Sequence, residues 1–183
     1  MKINSLIFAT SNKDKLKEAR EILKVPLEGT SLEIEEVQSL DPVKVATLKA
    51  KEYYKILRKP LFVEDGSLSF AALNGLPGTY VNDVFKAIGN AGLVKLISGK
   101  NRQAIAKVAV VYIDNNAKEH VFIGKVEGSI SDKPKGKNGF GWDAVFIPKG
   151  ETKTFAEMTL QEKNKYSMRK KALLSFSRWL SSV

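Results

Sequence analysis

The hydrophobic positions near the start of the chain change from a continuous run to a helical spacing. The run "SLIFA" at positions 5–9 is typical of a buried strand. A helix is predicted to follow from Lys13 to about Lys24, because apolar residues recur there on one face: Leu16, Ala19, Ile22 and Leu23. The alternation of apolar and acidic residues in "SLEIEEV", at 31–37, predicts a half-buried strand.

The middle of the chain carries clear helix boundaries. Asp41 followed by Pro42 forms an N-cap and a favourable first helical residue, so a helix is predicted to about Arg58. The apolar run "PLFVE" at 60–64 predicts the next strand. After the loop "NGLPGTY", another helical spacing begins at Val81, and it is predicted to break at two glycines, Gly89 and Gly92.

The last third of the chain predicts a hairpin, a long loop and a helix. Two strand-like runs at 104–113 and 120–130 flank the turn cluster "DNNAK". A glycine-rich loop at 131–143 and a short strand at 144–148 follow. Thr159 and Glu162 form a capping-box pattern, and the helix is predicted to reach Leu180 with a break near Ser167. Strands and helices in this order predict an α/β or α+β fold with a mixed sheet.

The composition restricts the kinds of site that this chain can build. It has 183 residues and no cysteine, which excludes disulfides and thiolate metal sites and favours hard cations such as Mg²⁺ bound by oxygen. A net charge of +10 favours polyanionic partners such as nucleotides or nucleic acid, although a lysine-rich solvated surface is an equal alternative. Because no membrane span or signal peptide is found, we expect a cytoplasmic protein with no membrane partner.

The segment "ATSNKDKLKEA" places small polar residues between a strand and a helix. Free backbone N–H groups and the helix dipole favour an anion at such a point. Thr10 and Asn12 could add hydrogen bonds to it, and Lys15 could add positive charge. The alternative is ordinary capping of the helix by Ser11 or Asn12.

Two adjacent acids, Glu64 and Asp65, follow the apolar part of the strand at 60–64. Carboxylates at the end of a strand, followed by Gly66, can hold Mg²⁺ and orient a water molecule. Glu36 supplies a further acid at the end of its own predicted strand. The alternative is that these acids cap helices or lie on the surface.

Two basic segments near the C-terminus could contact a nucleotide. In the loop "KGKNGFGWD", Phe140 or Trp142 could stack on a base, or both rings could fold back onto the core. In "EKNKYSMRKKAL", Arg169 could donate to a keto oxygen or a phosphate, although a solvated basic face is the usual meaning of such a run.

These segments, in this order, resemble the HAM1 family of nucleoside-triphosphate pyrophosphatases, also called inosine triphosphatases. "FATSNKDKLKEA" is similar to the opening T-x-N-x-x-K motif of the family, "FVEDGSL" to its acidic-pair motif and "GLPGTY" to its PG-Y loop. "KNGFGWDAVFIP", "KTFAEM" and "EKN" followed by "SMR" are similar to its C-terminal signature. The resemblance covers nearly the whole chain.

The resemblance implies the fold and the reaction. It implies an elongated, two-lobed α/β fold, a single domain over residues 1–183, with a long curved mixed β-sheet flanked by helices and a nucleotide cleft between the lobes. It implies a homodimer that uses Mg²⁺ to hydrolyse ITP, dITP or XTP to the monophosphate and pyrophosphate. It does not imply a nucleic-acid partner.

The resemblance also implies a role for each matching residue. Thr10, Asn12, Lys15 and Lys49 would bind the triphosphate. Asp65 would activate or orient the attacking water, with Glu64 and Lys15 also in the catalytic group, and the metal set would be Glu36, Glu64 and Asp65. Phe140 would stack on the base with the backbone at Gly141 and Trp142. Four side chains would complete the base and sugar pocket: Asp143, Lys163, Ser167 and Arg169.

The chain departs from the family pattern at three places. Met168 stands where the family usually has histidine, Gly66 removes a hydroxyl from the acidic motif, and "VND" at 81–83 replaces Ser-Ala-Arg. Because methionine lacks the hydrogen-bond donor of that histidine, the same reaction with altered or looser base selectivity stays open as an alternative. A second alternative is a non-enzymatic nucleic-acid-binding module that uses the basic loops with Phe140 and Trp142. The second leaves the three carboxylates unexplained, since acids repel phosphates unless a cation intervenes.

Overall fold

The computed structural model describes residues 5–182. Within them lie seven strands: β1 (Leu6–Ala9), β2 (Leu27–Thr30), β3 (Leu61–Phe70), β4 (Pro77–Gly78), β5 (Gln103–Ile113), β6 (Glu119–Ile130) and β7 (Phe146–Pro148). The same residues form five α-helices: α1 (Lys13–Leu23), α2 (Pro42–Leu57), α3 (Val81–Lys95), α4 (Leu160–Tyr166) and α5 (Met168–Leu180).

The strands form a mixed sheet in the order β2-β1-β3-β5-β6-β7, with β4 paired to β3. β1 runs parallel to β2 and β3, whereas β4 is antiparallel to β3 and β7 is antiparallel to β6. The predicted α/β class with a mixed sheet is therefore confirmed. The predicted nucleotide cleft stays a prediction.

The chain divides into two compact units. The first unit contains the described residues up to Asp65, together with Val108–Gly124 and the residues from Arg169 onward. The second unit contains Gly66–Lys107 and Lys125–Met168. The long strands β3, β5 and β6 contribute residues to both units.

The first unit has aliphatic and aromatic core clusters. Alanines and a tyrosine of α2 pack with β1, β3 and β5 in a cluster whose members are Ala9, Ala46, Ala50, Tyr53, Leu61, Val63, Ala109, Val111 and Ile113. The rings of Phe8 and Phe62 stack with centroids 4.4 Å apart, and Phe176 of α5 lies 5.2 Å from Phe62. Burial of these side chains fixes the register of β1 against β3, in which Phe8 lies opposite Phe62.

The second unit has its own buried aromatic residues. Phe146 of β7 and Phe155 lie 5.2 Å apart and are fully buried. Pairing of β6 with β7 sets Ile130 opposite Phe146. The glycine-rich segment before β7 ends in a short 3-10 helix at Gly141–Ala144, which carries part of the predicted base pocket.

Two sequence predictions of strand position were wrong. Residues 31–37 form no strand, and Leu27–Thr30 pairs with β1 instead. Leu32 and Ile34 still pack on the aliphatic cluster. The backbone of Leu32 pairs with a side chain rather than a strand: its N–H donates to the Tyr53 hydroxyl oxygen, and that hydroxyl donates to its carbonyl oxygen, at 3.2 Å each. The acids Glu64 and Asp65 lie inside β3 rather than at its end, because the strand continues to Phe70 and pairs with β4.

Most of the predicted local helix signals are confirmed. Asn12 and Asp41 cap α1 and α2, Gly89 interrupts α3, and Thr159 with Glu162 forms the capping box of α4. The predicted break at Gly92 was wrong, because Gly92 keeps helical backbone angles and α3 continues to Lys95. The predicted break near Ser167 separates α4 from α5. In the part of the chain that the structure describes, no helix combines the length and the apolar character that crossing a membrane requires.

Candidate active site

Glu64 is a buried carboxylate with two basic partners. It belongs to β3 and is 3% exposed. Arg169 donates to both of its oxygens, from Nε to Oε2 at 2.8 Å and from Nη2 to Oε1 at 2.9 Å. Lys15 Nζ lies 3.3 Å from Oε1. Planar, two-point contact of this kind is the strongest arrangement of arginine and carboxylate.

Arg169 also donates from Nη1 to Glu18 Oε2. Glu18 lies on the buried side of α1, three residues after Lys15. Burial opposes the charge of Arg169, but the two carboxylates outweigh that effect and raise its pKa above the usual value. The first residues of α5 are thereby tied to α1 and β3 by ionic hydrogen bonds.

The arginine decides the charge of Glu64. Burial by itself would raise the pKa of this carboxyl, but the positive charges of Arg169 and Lys15 outweigh burial and hold the pKa at about 2. Glu64 is therefore ionised at neutral pH. Its negative charge is compensated inside the protein.

Asp65, the next residue along β3, has the opposite environment. Its Oδ2 atom is buried and has no hydrogen-bond partner among the described residues. Burial raises the pKa of Asp65 to about 6; Lys15 and Lys49 oppose the rise, whereas Glu36 and Glu64 add to it. A buried carboxylate oxygen that lacks a donor is unfavourable unless a cation, a water molecule or a ligand supplies one.

Glu36 forms an ion pair with Lys49 of α2, and its side chain is partly exposed. Among residues 5–182, no three acidic, histidine or cysteine side chains are grouped closely enough to hold a metal ion. The predicted trio of Glu36, Glu64 and Asp65 is therefore not preassembled. The physical reason is that Glu64 and Glu36 already have basic partners, which leaves Asp65 as the acid with an unpaired oxygen.

The predicted triphosphate residues at the start of α1 cap the helix. Asn12 Oδ1 accepts from the backbone N–H groups of Asp14 and Lys15, at 2.9 and 3.0 Å. Thr10 Oγ1 accepts from the N–H of Asn12 at 3.1 Å. The alternative interpretation of this segment, ordinary capping, is thus seen directly. The ammonium group of Lys15 contacts Glu64, so the capped start of α1 lies next to the buried acid of β3.

The second unit gathers three of the predicted pocket residues. Lys163 Nζ donates to Asp143 Oδ2 at 2.7 Å, and both side chains are buried. The same oxygen accepts from the backbone N–H of Phe140 at 3.0 Å. The ammonium group also lies 5.2 Å from the centre of the Phe140 ring. Asp143 and Lys163 therefore fix both the backbone and the ring of Phe140.

The other predicted pocket residues are buried or packed against the protein's own side chains. Trp142 packs edge-on against Phe146, with centroids 5.7 Å apart, as the alternative of a ring folded back on the core predicts. Ser167 and Met168 are 2% and 3% exposed, so both lie inside the fold at the junction of α4 and α5. Arg169 bonds to carboxylates in the structure, and its predicted part in the base pocket stays a prediction.

Two residues of these groups are missing from the sequence prediction. Glu18 holds Arg169, and Asn90 of α3 donates from Nδ2 to the carbonyl oxygen of Gly141 at 3.0 Å. A weak sequence signal exists for each. Glu18 is an acid on the same helical face as Lys15, and Asn90 is a polar residue directly after the glycine that breaks α3.

Comparison with known proteins gives consistent matches over the whole length. A family model described as the Ham1 family matches residues 6–179. The chain is 44% identical over 184 residues to a dITP/XTP pyrophosphatase from Hyperthermus butylicus, covering 98% of this chain and 96% of the relative. It is 42% identical over 179 residues to a protein of the same name from Thermococcus kodakarensis, covering 96% of each. A solved HAM1 protein from Coxiella burnetii superposes with a TM-score of 0.84 at 28% identity, covering 99% of this chain and 100% of that one.

Proposed function

The chain belongs to the Ham1 family, and we propose that it hydrolyses noncanonical purine nucleoside triphosphates, namely ITP, dITP and XTP, to the monophosphate and pyrophosphate. The names of the relatives from Hyperthermus butylicus and Thermococcus kodakarensis support this substrate class. One structural observation carries the proposal: Asp65 keeps a buried, unpaired carboxylate oxygen directly beside the fully compensated Glu64.

This difference between the two acids suits hydrolysis of a phosphoanhydride. Cleavage between the α- and β-phosphates needs positive charge near the phosphate oxygens and a water molecule held in line for attack. Lys15 and Lys49 provide the charge within the first unit. The carboxylate of Asp65 would orient the water and take its proton.

We include Mg²⁺ in the proposal because the donors fit a hard cation. Asp65 offers an unpaired oxygen, and Glu36 offers a partly exposed carboxylate. These two residues would hold the ion together with oxygens of the substrate, since Mg²⁺ bound to phosphates needs few protein ligands. The ion would supply neutralisation of charge on the phosphates when bound. Glu64 keeps its arginine partner in this arrangement.

Recognition of the base is assigned to the second unit. Phe140 would stack on the purine, and the segment Phe140–Asp143 would present its backbone to the base edge. The Lys163–Asp143 ion pair supports this assignment because it anchors the segment from one side. A site built from hydrogen-bond donors rejects the 6-amino group of adenine by leaving polar groups unpaired.

A homodimer and a cytoplasmic location are also part of the proposal. The dimer rests on the family resemblance. The location rests on the proposed substrate, because free nucleotides are a cytoplasmic pool. Size-exclusion chromatography with light scattering tests the dimer.

The proposed reaction is tested by pyrophosphate release from ITP, XTP, dITP, GTP and ATP, each with and without Mg²⁺. We expect rapid release from the first three only, and only with the metal. Equal rates on all five would contradict the selective role while leaving the chemistry in place. No release from any substrate, combined with salt-dependent binding to oligonucleotides, would favour a nucleic-acid-binding module.

A further inference from the structure

Asn90 occupies an unusual position in helix α3. It follows Gly89, whose backbone angles of φ 65° and ψ −176° interrupt the helix within Val81–Lys95. Glycine adopts this conformation readily, whereas other residues do so at a cost. The interruption kinks the helix and begins its second part at Asn90. A polar residue is thereby presented at a defined break rather than along a regular helical face.

The carboxamide of Asn90 makes one hydrogen bond and leaves one atom unsatisfied. Its Nδ2 donates to the carbonyl oxygen of Gly141 at 3.0 Å. Its Oδ1 is buried and has no hydrogen-bond partner among the described residues. A buried acceptor without a donor is unfavourable for stability, so an apolar side chain of the same size would suit this position better. The bond to Gly141 is the evident compensation.

The peptide that Asn90 holds lies at the centre of the segment assigned to the base. Gly139 and Gly141 both have positive φ, at 72° and 60°, so the free segment has many accessible conformations. Asp143 and Lys163 anchor the N–H of Phe140. Two peptides further along, the Gly141–Trp142 peptide is held at its carbonyl oxygen by Asn90.

The hydrogen bond from Asn90 also sets the direction of the N–H at the other end of the same peptide. The carbonyl oxygen of Gly141 and the N–H of Trp142 belong to one planar, trans unit and point in opposite directions. Fixing the oxygen therefore fixes the direction of the N–H. This peptide begins at the residue after Phe140, so its orientation also limits where a base stacked on the Phe140 ring can place its edge.

We propose that Asn90 is a positioning residue for base recognition, which holds the Gly141–Trp142 peptide in the orientation that binds the purine. The inference rests on the proposed function, because it needs the Phe140–Asp143 segment to contact the base. It assigns Asn90 no contact with the phosphates, which the residues of the first unit would bind.

Competitive inhibition by the two products separates these roles. Inosine monophosphate carries the base and inorganic pyrophosphate does not, so their inhibition constants report on different parts of the substrate. Asn90→Leu removes the donor and the unsatisfied oxygen together. Asn90→Asp keeps the size but places an acceptor against the Gly141 carbonyl. Asn82→Leu, on an exposed position of the same helix, is the matched control.

For both Asn90 variants we expect inosine monophosphate to bind about tenfold more weakly, the usual effect of one hydrogen bond, with pyrophosphate unchanged. The midpoint of thermal unfolding of Asn90→Leu should be no lower than that of the wild type. The control should match the wild type in all three measurements.

Two results would overturn the inference. Unchanged inhibition by inosine monophosphate in both variants would show that the anchor has no effect on the base. Parallel weakening of both products with a lower unfolding midpoint would show a purely structural role. A wild-type protein that neither hydrolyses ITP nor binds inosine monophosphate would instead overturn the proposed function, and the inference with it.

Discussion

Arg169 and Glu64 form a two-point ionic contact, with Nε and Nη2 of the arginine 2.8 and 2.9 Å from the two carboxylate oxygens. They lie 105 positions apart in the chain. Burial alone would raise the pKa of Glu64, but this contact, together with Lys15, outweighs burial and lowers the pKa to about 2. For the neighbouring Asp65, burial prevails and raises the pKa to about 6. Adjacent acids on one strand thus have opposite effects on stability.

Glu64→Gln should destabilise the protein strongly. The substitution leaves the guanidinium of Arg169 buried without one of its two negative partners, which costs about 3 kcal/mol in comparable buried pairs. Chemical denaturation at pH 7 measures the loss of unfolding free energy. Glu127→Gln is the control, because its contacts with Lys125 and Lys149 are solvent-exposed and are expected to contribute little to stability.

The contribution of Glu64 should also depend on pH. Its folded pKa is lower than the usual value of 4.5, so its stabilisation is present above pH 4.5 and is lost as the pH falls towards 2. The wild type should therefore lose stability over this range more steeply than Glu64→Gln. Identical pH profiles for the two proteins would show that the ion pair does not control the acid sensitivity.

Asp65→Asn should stabilise the metal-free protein while abolishing pyrophosphate release. The folded pKa of Asp65 is raised, so its favourable contribution exists below pH 3.8 and is lost as the pH rises through about 6. At pH 7 the ionised group is therefore unfavourable, and we expect the variant to gain about 1–2 kcal/mol. Thermal unfolding in a chelator and the release assay measure the two effects. A less stable variant, or one with near-normal turnover, would contradict this role.

Binding of Mg²⁺ should follow the protonation of Asp65. A metal that binds the folded state raises the midpoint of thermal unfolding. We expect this rise in the wild type at pH 7 and a much smaller rise in Asp65→Asn. Below pH 6 the proton competes for the same oxygen, so the apparent affinity should fall about tenfold for each further pH unit. A pH-independent shift that persists in the variant would place the metal elsewhere.

The Lys163–Asp143 pair should show strong coupling. Lys163→Met leaves the buried carboxylate of Asp143 without its ammonium partner and should cost about 3–5 kcal/mol. Asp143→Asn combined with Lys163→Met should recover much of that loss, because no charge remains buried. The double variant should nevertheless bind inosine monophosphate more weakly than the wild type, since Phe140 has lost the ammonium group beside its ring. Additive losses of stability would show that the two side chains act independently.

The helices and their ends were predictable from the sequence because capping depends on neighbouring residues. Asn12, Asp41 and the Thr159–Glu162 pair act within one helical turn. The break in α3 at Gly89 is equally local. The strand predicted at 31–37 failed for the opposite reason. An alternating pattern shows that Leu32 and Ile34 face the core, but it does not show which segment pairs with β1.

The sequence by itself determined the main helices with their caps and the chemical inventory of this protein: its motifs, its paired acids, its basic loops and its lack of cysteine. Only the tertiary structure decided how the charges are partnered. In the folded chain, Arg169 forms ion pairs with Glu64 and Glu18, and Asp65 keeps an oxygen without a hydrogen-bond partner among the described residues. Asn90 donates a hydrogen bond to Gly141. The physical reason is that ion pairs and buried hydrogen bonds connect residues distant in sequence, and their energies depend on burial, which no local pattern contains.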